Sequence, residues 1–156
     1  MEKDQLPLRI GVGAIVLNKE NKVFVGRRID NPVNNWQMPQ GGANKSEPLL
    51  EAMKRELQEE TDIKNIKILK ELDHWFQYEL PDELVGKIWK GRFRGQKQKW
   101  FIVKFLGEDE EINIRTKNPE FLEWKWIDFK KLPEVIVYFK KELYKNLVSN
   151  ISNFID

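Results

Sequence analysis

The chain has 156 residues, 27 of them basic and 25 acidic, with 40% apolar and 12% aromatic side chains and no cysteine. That length suits one domain with a sizeable core, and the aromatic content excludes global disorder. Without cysteine there are no disulfides and no thiolate metal sites, and no apolar run approaches the ~18 residues of a membrane span.

The N-terminal MEKDQLPLRI lacks an apolar signal core, so a cytoplasmic address is expected. Gly11–Leu17 reads as a buried strand, Asn18–Asn21 as a polar turn and Val23–Arg28 as the returning strand. Trp36–Met38 is a short extended piece, stopped by Pro39 and the Gly41-Gly42 pair. Ser46–Thr61 reads as a helix with Ser46 as its N-cap, Pro48 in its first turn, and Leu50, Met53 and Leu57 in one apolar stripe. Ile66–Tyr78 is strand or hairpin material, and Lys99–Leu106 and Glu123–Ile127 are strands. Leu132–Phe154 reads as a long amphipathic helix, with Val135, Phe139, Leu143 and Leu147 spaced by four. No repeat, low-complexity tract or linker divides residues 1–156, so one α/β sandwich domain with a mixed sheet is expected. The six tryptophans read as core, and the single histidine, His74, as structural.

Charge is segregated although it nearly balances. The stretch Lys87–Lys99 (KIWKGRFRGQKQK) is strongly basic, and Glu47–Asp62 is rich in acid. On the predicted helix Glu56, Glu59 and Glu60 stand at offsets of three and four, which makes one acidic ridge beside the apolar stripe. A lone pair of glutamates would be a solvated face. Here Glu56 and Glu60 repel at i,i+4, and the ridge lies in the half of the helix whose dipole disfavours anions. A bound dication reverses both effects. Three oxygen ligands suit a hard cation, and with no His or Cys in the segment zinc is disfavoured. Magnesium bridges carboxylates to phosphates, so the chemistry implied is attack by water on phosphorus.

The spacing of Gly41, Glu47, Arg55-Glu56-Leu57, Glu59-Glu60 and Ile63 resembles the Nudix box, here residues 41–63. The resemblance implies a Nudix-like α/β/α sandwich whose glutamates at Glu56, Glu59 and Glu60 carry Mg2+ or Mn2+, with Arg55 orienting a glutamate and Gly41 counted with the metal site. One position departs: Asp62 stands where the family usually has glycine, and aspartate tolerates the left-handed conformation expected there. The segments Trp36–Gly42, Gly95–Phe101, Glu111–Asn113 and Pro119–Phe121 extend the similarity to bacterial RNA pyrophosphohydrolases and plant-type diadenosine tetraphosphate hydrolases. That subgroup implies a further metal ligand at Glu120, phosphate or RNA contacts at Arg9, Arg28 and Lys140, and a base-stacking position at Phe139. Phe139 also fits the apolar stripe of the last helix, and Tyr78 and Phe76 either stack a base or pack inside. Expected partners are RNA 5′ ends, dinucleoside polyphosphates or both, with no membrane and no obligate protein partner evident. The alternatives are an ADP-ribose-type hydrolase and a non-catalytic nucleotide- or RNA-binding module. The module should have lost ligand glutamates, and all three are present.

Overall fold

The computed structural model describes residues 2–30 and 35–155. An eight-stranded mixed sheet forms its centre. The apolar run begins a little earlier than its pattern suggests, as β1 (Leu8–Leu17), and β2 (Val23–Arg28) follows it. In the turn between them the Asn18 side chain accepts hydrogen bonds from the Glu20 and Lys22 amides, each at 3.0 Å. Asn side chains close such turns by standing in for backbone. Next come β3 (Trp36–Gln37) and β4 (Gln40–Gly42), on either side of Pro39. The Gly41-Gly42 pair is therefore strand rather than stop, paired antiparallel with Val12 and Gly11 of β1.

β5 (Ile66–Glu71) and β6 (Phe76–Glu79) form no hairpin with each other, because both pair antiparallel with β7 (Gly95–Phe105). β8 (Phe121–Ile127) pairs antiparallel with β2. A parallel ladder, the one among the described residues, joins β1 and β7 from Leu8–Gly95 to Leu17–Lys104. Both strands are apolar on both sides through their middle, as a parallel pair covered on two faces requires.

Alternation along β1 and β7 sends side chains to two cores. On one face Val12, Ala14, Val16, Phe101 and Val103 lie under α1 (Leu49–Thr61), which contributes Ala52, Met53 and Leu57. On the other face Ile15, Leu17, Trp100 and Ile102 lie under α2 (Leu132–Val135) and α3 (Lys141–Ile155). Leu143, Leu147 and Ile151 supply the stripe of α3, each worth ~1.5–3 kcal/mol by burial. The arrangement is the expected α/β/α sandwich.

Three expectations are corrected. Helix α1 begins at Leu49 with Pro48 at its N-cap, and Ser46 instead has a left-handed φ of 66°. Proline disfavours helical geometry in the residue before it, so Glu47 cannot extend the helix back to Ser46. The long C-terminal helix is broken: Ile136 and Val137 are extended, and a 3-10 turn over Tyr138–Lys140 precedes α3. The break takes Phe139 and Lys140 out of the stripe that Leu143 continues. Finally, Trp75 departs from the core expected of it and is exposed, whereas Trp100 is fully buried and Trp36, Trp89, Trp124 and Trp126 pack half-buried against the two cores.

Candidate active site

The α1 ridge is organised by one arginine. Arg55 Nε and Nη2 donate to the two Glu47 oxygens at 2.9 and 3.0 Å, and Nη2 also donates to the Gly42 carbonyl at 2.9 Å. Its Nη1 reaches Glu56 at 3.0 Å and Glu59 at 3.3 Å. Arg55 thus ties the loop before the helix to two ridge carboxylates. Its fork holds the Glu47 carboxyl well below the usual range, at about 2, helped by the Asn44 amide.

Glu56 and Glu60 are in a different environment. Burial raises the Glu56 carboxyl above its ordinary value, against the pull of Arg55. Glu60 is 5% exposed, and its Oε2 has no hydrogen-bond partner among the described residues. Burial raises its carboxyl strongly, and the charges of Glu56 and Glu120 add to the effect. Gly41 lies against the ridge: a Cβ there would come within 2.2 Å of the Glu56 carboxyl. Any side chain at this position would displace the carboxylate. A cation fits this donor set, since it would partner Oε2 and quench the repulsion between acids. Glu59 is exposed, and among the described residues no three carboxylates are already gathered in a metal-holding cluster. Glu56, Glu59, Glu60 and Glu120 all line one cleft of about 890 Å³ between α1 and the 113–120 loop.

The predicted cations lie near the ridge, Arg28 and Lys140 close enough to act on Glu60 and Arg9 on Glu56. A register shift between Arg27 and Arg28 bends β2, and such bulges re-aim side chains. Arg27 pairs outward with Glu123 at 2.8 Å. Arg28 makes a fork to Asp30 at 2.9 and 2.7 Å and approaches Glu120 at 3.5 Å. Lys140 is buried, with its ammonium 3.3 Å from the Gln37 amide oxygen and 4.9 Å from the Tyr78 ring centroid. Burial lowers Lys140 to about 7, with Arg28 adding repulsion. Tyr78 is itself buried, its hydroxyl donating to Gln96 at 3.2 Å and its ring packed by Phe139 at 5.9 Å. Phe139 is half-buried at the core's edge, between Tyr78 and Tyr138. Arg9 lies so close to Gly42 that a Cβ there would meet its guanidinium at 2.3 Å, and it stacks at 5.3 Å over the Trp89 ring.

Several partners were not singled out from the sequence. Asp30 is local to Arg28 but carries no motif, Gln37 stands out only as part of the Trp36–Gly42 segment, and Trp89 and Gln37 meet Arg9 and Lys140 only through the fold. The glutamines had a readable signal. Gln96 and Gln98 stand two apart in β7, on the same side as Trp100 and Ile102. Two amides in the row of a core face imply a lined cavity rather than solvent. They form a buried chain: Trp100 donates to Gln98 at 3.0 Å, and Gln98 donates to Gln96 at 2.9 Å and to Gln40 at 2.6 Å.

Comparison with known proteins agrees with this geometry. The chain is 56% identical over 154 residues to the RNA pyrophosphohydrolase of Pelagibacter ubique, covering 99% of this chain and 98% of that one. It is 45% identical over 150 residues to the RNA pyrophosphohydrolase of Rickettsia bellii, covering 96% and 93%. In fold it is similar to the E. coli dihydroneopterin triphosphate pyrophosphohydrolase, with a TM-score of 0.71 at 18% identity over 92% of this chain and 99% of that one. It is likewise similar to a C. elegans Ap4A hydrolase, with a TM-score of 0.63 at 16% identity over 92% and 99%. The NUDIX domain model matches residues 7–147, from just before β1 to about halfway along α3, and the chain belongs to the Nudix hydrolase family.

Proposed function

We propose that the enzyme removes pyrophosphate from 5′-triphosphorylated RNA ends, with Mg2+ or Mn2+ held by Glu56, Glu59 and Glu60, joined by Glu120 and the Gly41 carbonyl. The observation that carries the reading is the position of Glu60, buried between an acidic ridge and the cations Arg28 and Lys140. A chain of phosphates needs both: cations for its oxygens, and carboxylates for the metal that bridges to it. The near-full-length similarity to RNA pyrophosphohydrolases supports this choice within the family. The metal supplies charge neutralisation and a more acidic water when bound. Arg55 keeps Glu56 and Glu59 oriented. Arg9, Arg28 and Lys140 bind phosphate oxygens, and Arg28 exchanges Asp30 for substrate. Phe139 offers an aromatic face to the first base. Water adds to phosphorus, the bond between the first and second phosphates breaks, and the products are 5′-monophosphorylated RNA and pyrophosphate.

Dinucleoside tetraphosphates present the same phosphate chain to the same cations, so we expect them to be cleaved too. One domain accounts for the whole reaction. No helix among the described residues is long and apolar enough to cross a membrane, and an RNA substrate suits a cytoplasmic enzyme. The test is a panel of triphosphorylated RNA, diadenosine tetraphosphate and ADP-ribose, with products identified. Release of pyrophosphate from RNA is expected. Robust ADP-ribose cleavage with inert RNA ends would replace this reading with a small-nucleotide hydrolase.

A further inference from the structure

The basic run that stood out in the sequence forms a loop between β6 and β7, residues 81–94. Its base is fastened: the Leu80 amide donates to the Arg94 carbonyl at 2.7 Å, and the Arg94 amide to the Pro7 carbonyl at 3.1 Å. Its acids are engaged at the near end. Asp82 pairs with Lys3 at 3.1 Å, and Glu83 accepts a hydrogen bond from the Tyr138 hydroxyl at 3.0 Å. The far half is different. Lys87, Lys90 and Arg92 are exposed, and none of them makes an ion pair with a described residue. Between them Trp89 packs edge-on against Phe93 at 6.2 Å. Trp89, Lys90 and Gly91 are all left-handed, with φ of 52°, 58° and 71°. Two consecutive non-glycine residues rarely adopt that conformation, so packing around Trp89 maintains it. The result points three unpaired cations outward from a loop whose aromatic hub sits on Arg9, and whose other end touches the residue beside Phe139.

From this juxtaposition we infer that the 81–94 loop is a track for the RNA backbone 3′ of the triphosphorylated end, with Lys87, Lys90 and Arg92 taking successive phosphates. The inference rests on the RNA reading above and specifies which part of that substrate the loop recognises. Arg9 and Phe139 bracket the terminal phosphates and first base, and the loop begins where both stop. A dinucleoside polyphosphate has no chain long enough to occupy it. The loop therefore favours long RNA without touching the reaction itself.

The test uses the combined variant Lys87→Gln, Lys90→Asn, Arg92→Gln, with asparagine at Lys90 because it tolerates the left-handed backbone. Substrates are a triphosphorylated RNA of about 15 nucleotides, within the span of known single-strand sites, its triphosphorylated dinucleotide, and diadenosine tetraphosphate. We expect kcat/KM for the long RNA to fall at least about 10-fold near physiological salt, with the log–log salt slope of its binding shallower by about 2, at ~0.7 per lost phosphate contact. The two short substrates should stay within about twofold, which also reports an intact fold. Equal losses on all three substrates, or an unchanged long RNA, overturn the inference. If the wild-type enzyme cleaves only substrates other than RNA, the functional reading fails and the loop inference falls with it.

Discussion

Glu60 and Lys140 are an acid and a base that the fold buries close enough to influence one another. Burial raises the Glu60 carboxyl above its ordinary 4.5, so the native chain holds a proton that the unfolded chain releases. Stability from this group therefore falls as pH rises above 4.5. Glu60→Gln should stabilise the fold in chelator at pH 8 by about 1–2 kcal/mol, a rise in Tm of roughly 2–8 °C, with the gain shrinking toward pH 4. It should also nearly abolish turnover, as should Glu59→Gln, because each change keeps the shape and removes a carboxylate from the proposed metal site. A variant keeping more than about a tenth of the wild-type rate at saturating metal would lose its assigned role. Lys140 runs the other way. Its value falls from 10.5 to about 7, so between those values the unfolded chain binds a proton that the native chain does not. Stability then rises with pH through that window. Lys140→Met should be most stabilising at pH 6, with an advantage smaller by about 2–3 kcal/mol at pH 9, as read by urea denaturation at the two pH values. A gap that does not change with pH would mean the ammonium is solvated.

Helix α1 and the broken C-terminal segment show how whole elements deliver these residues. Asp62 ends α1 in the left-handed region at φ 61°, with its amide bonded to the Gln58 carbonyl at 2.8 Å. Among the described residues its carboxylate makes only an exposed pair with Lys64 at 3.3 Å. Asp62→Gly should accordingly be neutral or stabilising by up to ~1 kcal/mol in a thermal melt, with activity unchanged, since relief of the cap outweighs a surface pair. A clear loss of stability would show that the Lys64 pair matters more than the backbone. At the other element, Phe139 occupies the 3-10 turn before α3 and is half-buried. Phe139→Ala should cost about 1–3 kcal/mol, less than the ~3–5 of a fully buried ring, and lower kcat/KM for RNA roughly 5- to 150-fold. Unchanged kcat/KM on the folded protein would leave Phe139 a packing residue alone. The α1 ridge was legible in the sequence because its spacing carries the chemistry within one helix. The placement of Phe139 was not, since a run of apolar residues at fours concealed a break set by the extended Ile136 and Val137. Arg9, Arg28 and Lys140 came from family resemblance rather than pattern. Of their partners, Asp30 is two residues from Arg28 but unmarked by any pattern, while Trp89 and Gln37 come from distant segments, and no local period marks such meetings.

Across the molecule, the two cores rest on apolar packing against the sheet, and the carboxylates sit at its margin. Removing metal should thus silence the enzyme without unfolding it: EDTA should abolish turnover, added magnesium or manganese should restore it, and far-UV circular dichroism should not change. Loss of secondary structure on chelation would make the ion a structural one instead. The parallel ladder between β1 and β7 has a consequence for how the chain reaches this state. The first strand made during synthesis finds its longest partner only after the helix, β5, β6 and the basic loop have all been made. Closing so long a span costs entropy before any ladder bond is gained, and topologies dominated by such pairings fold in milliseconds to seconds. A nascent chain interrupted before Gly95 has its glutamate ridge in hand and lacks the strand that holds β1, so the active site is among the last features of the enzyme to exist.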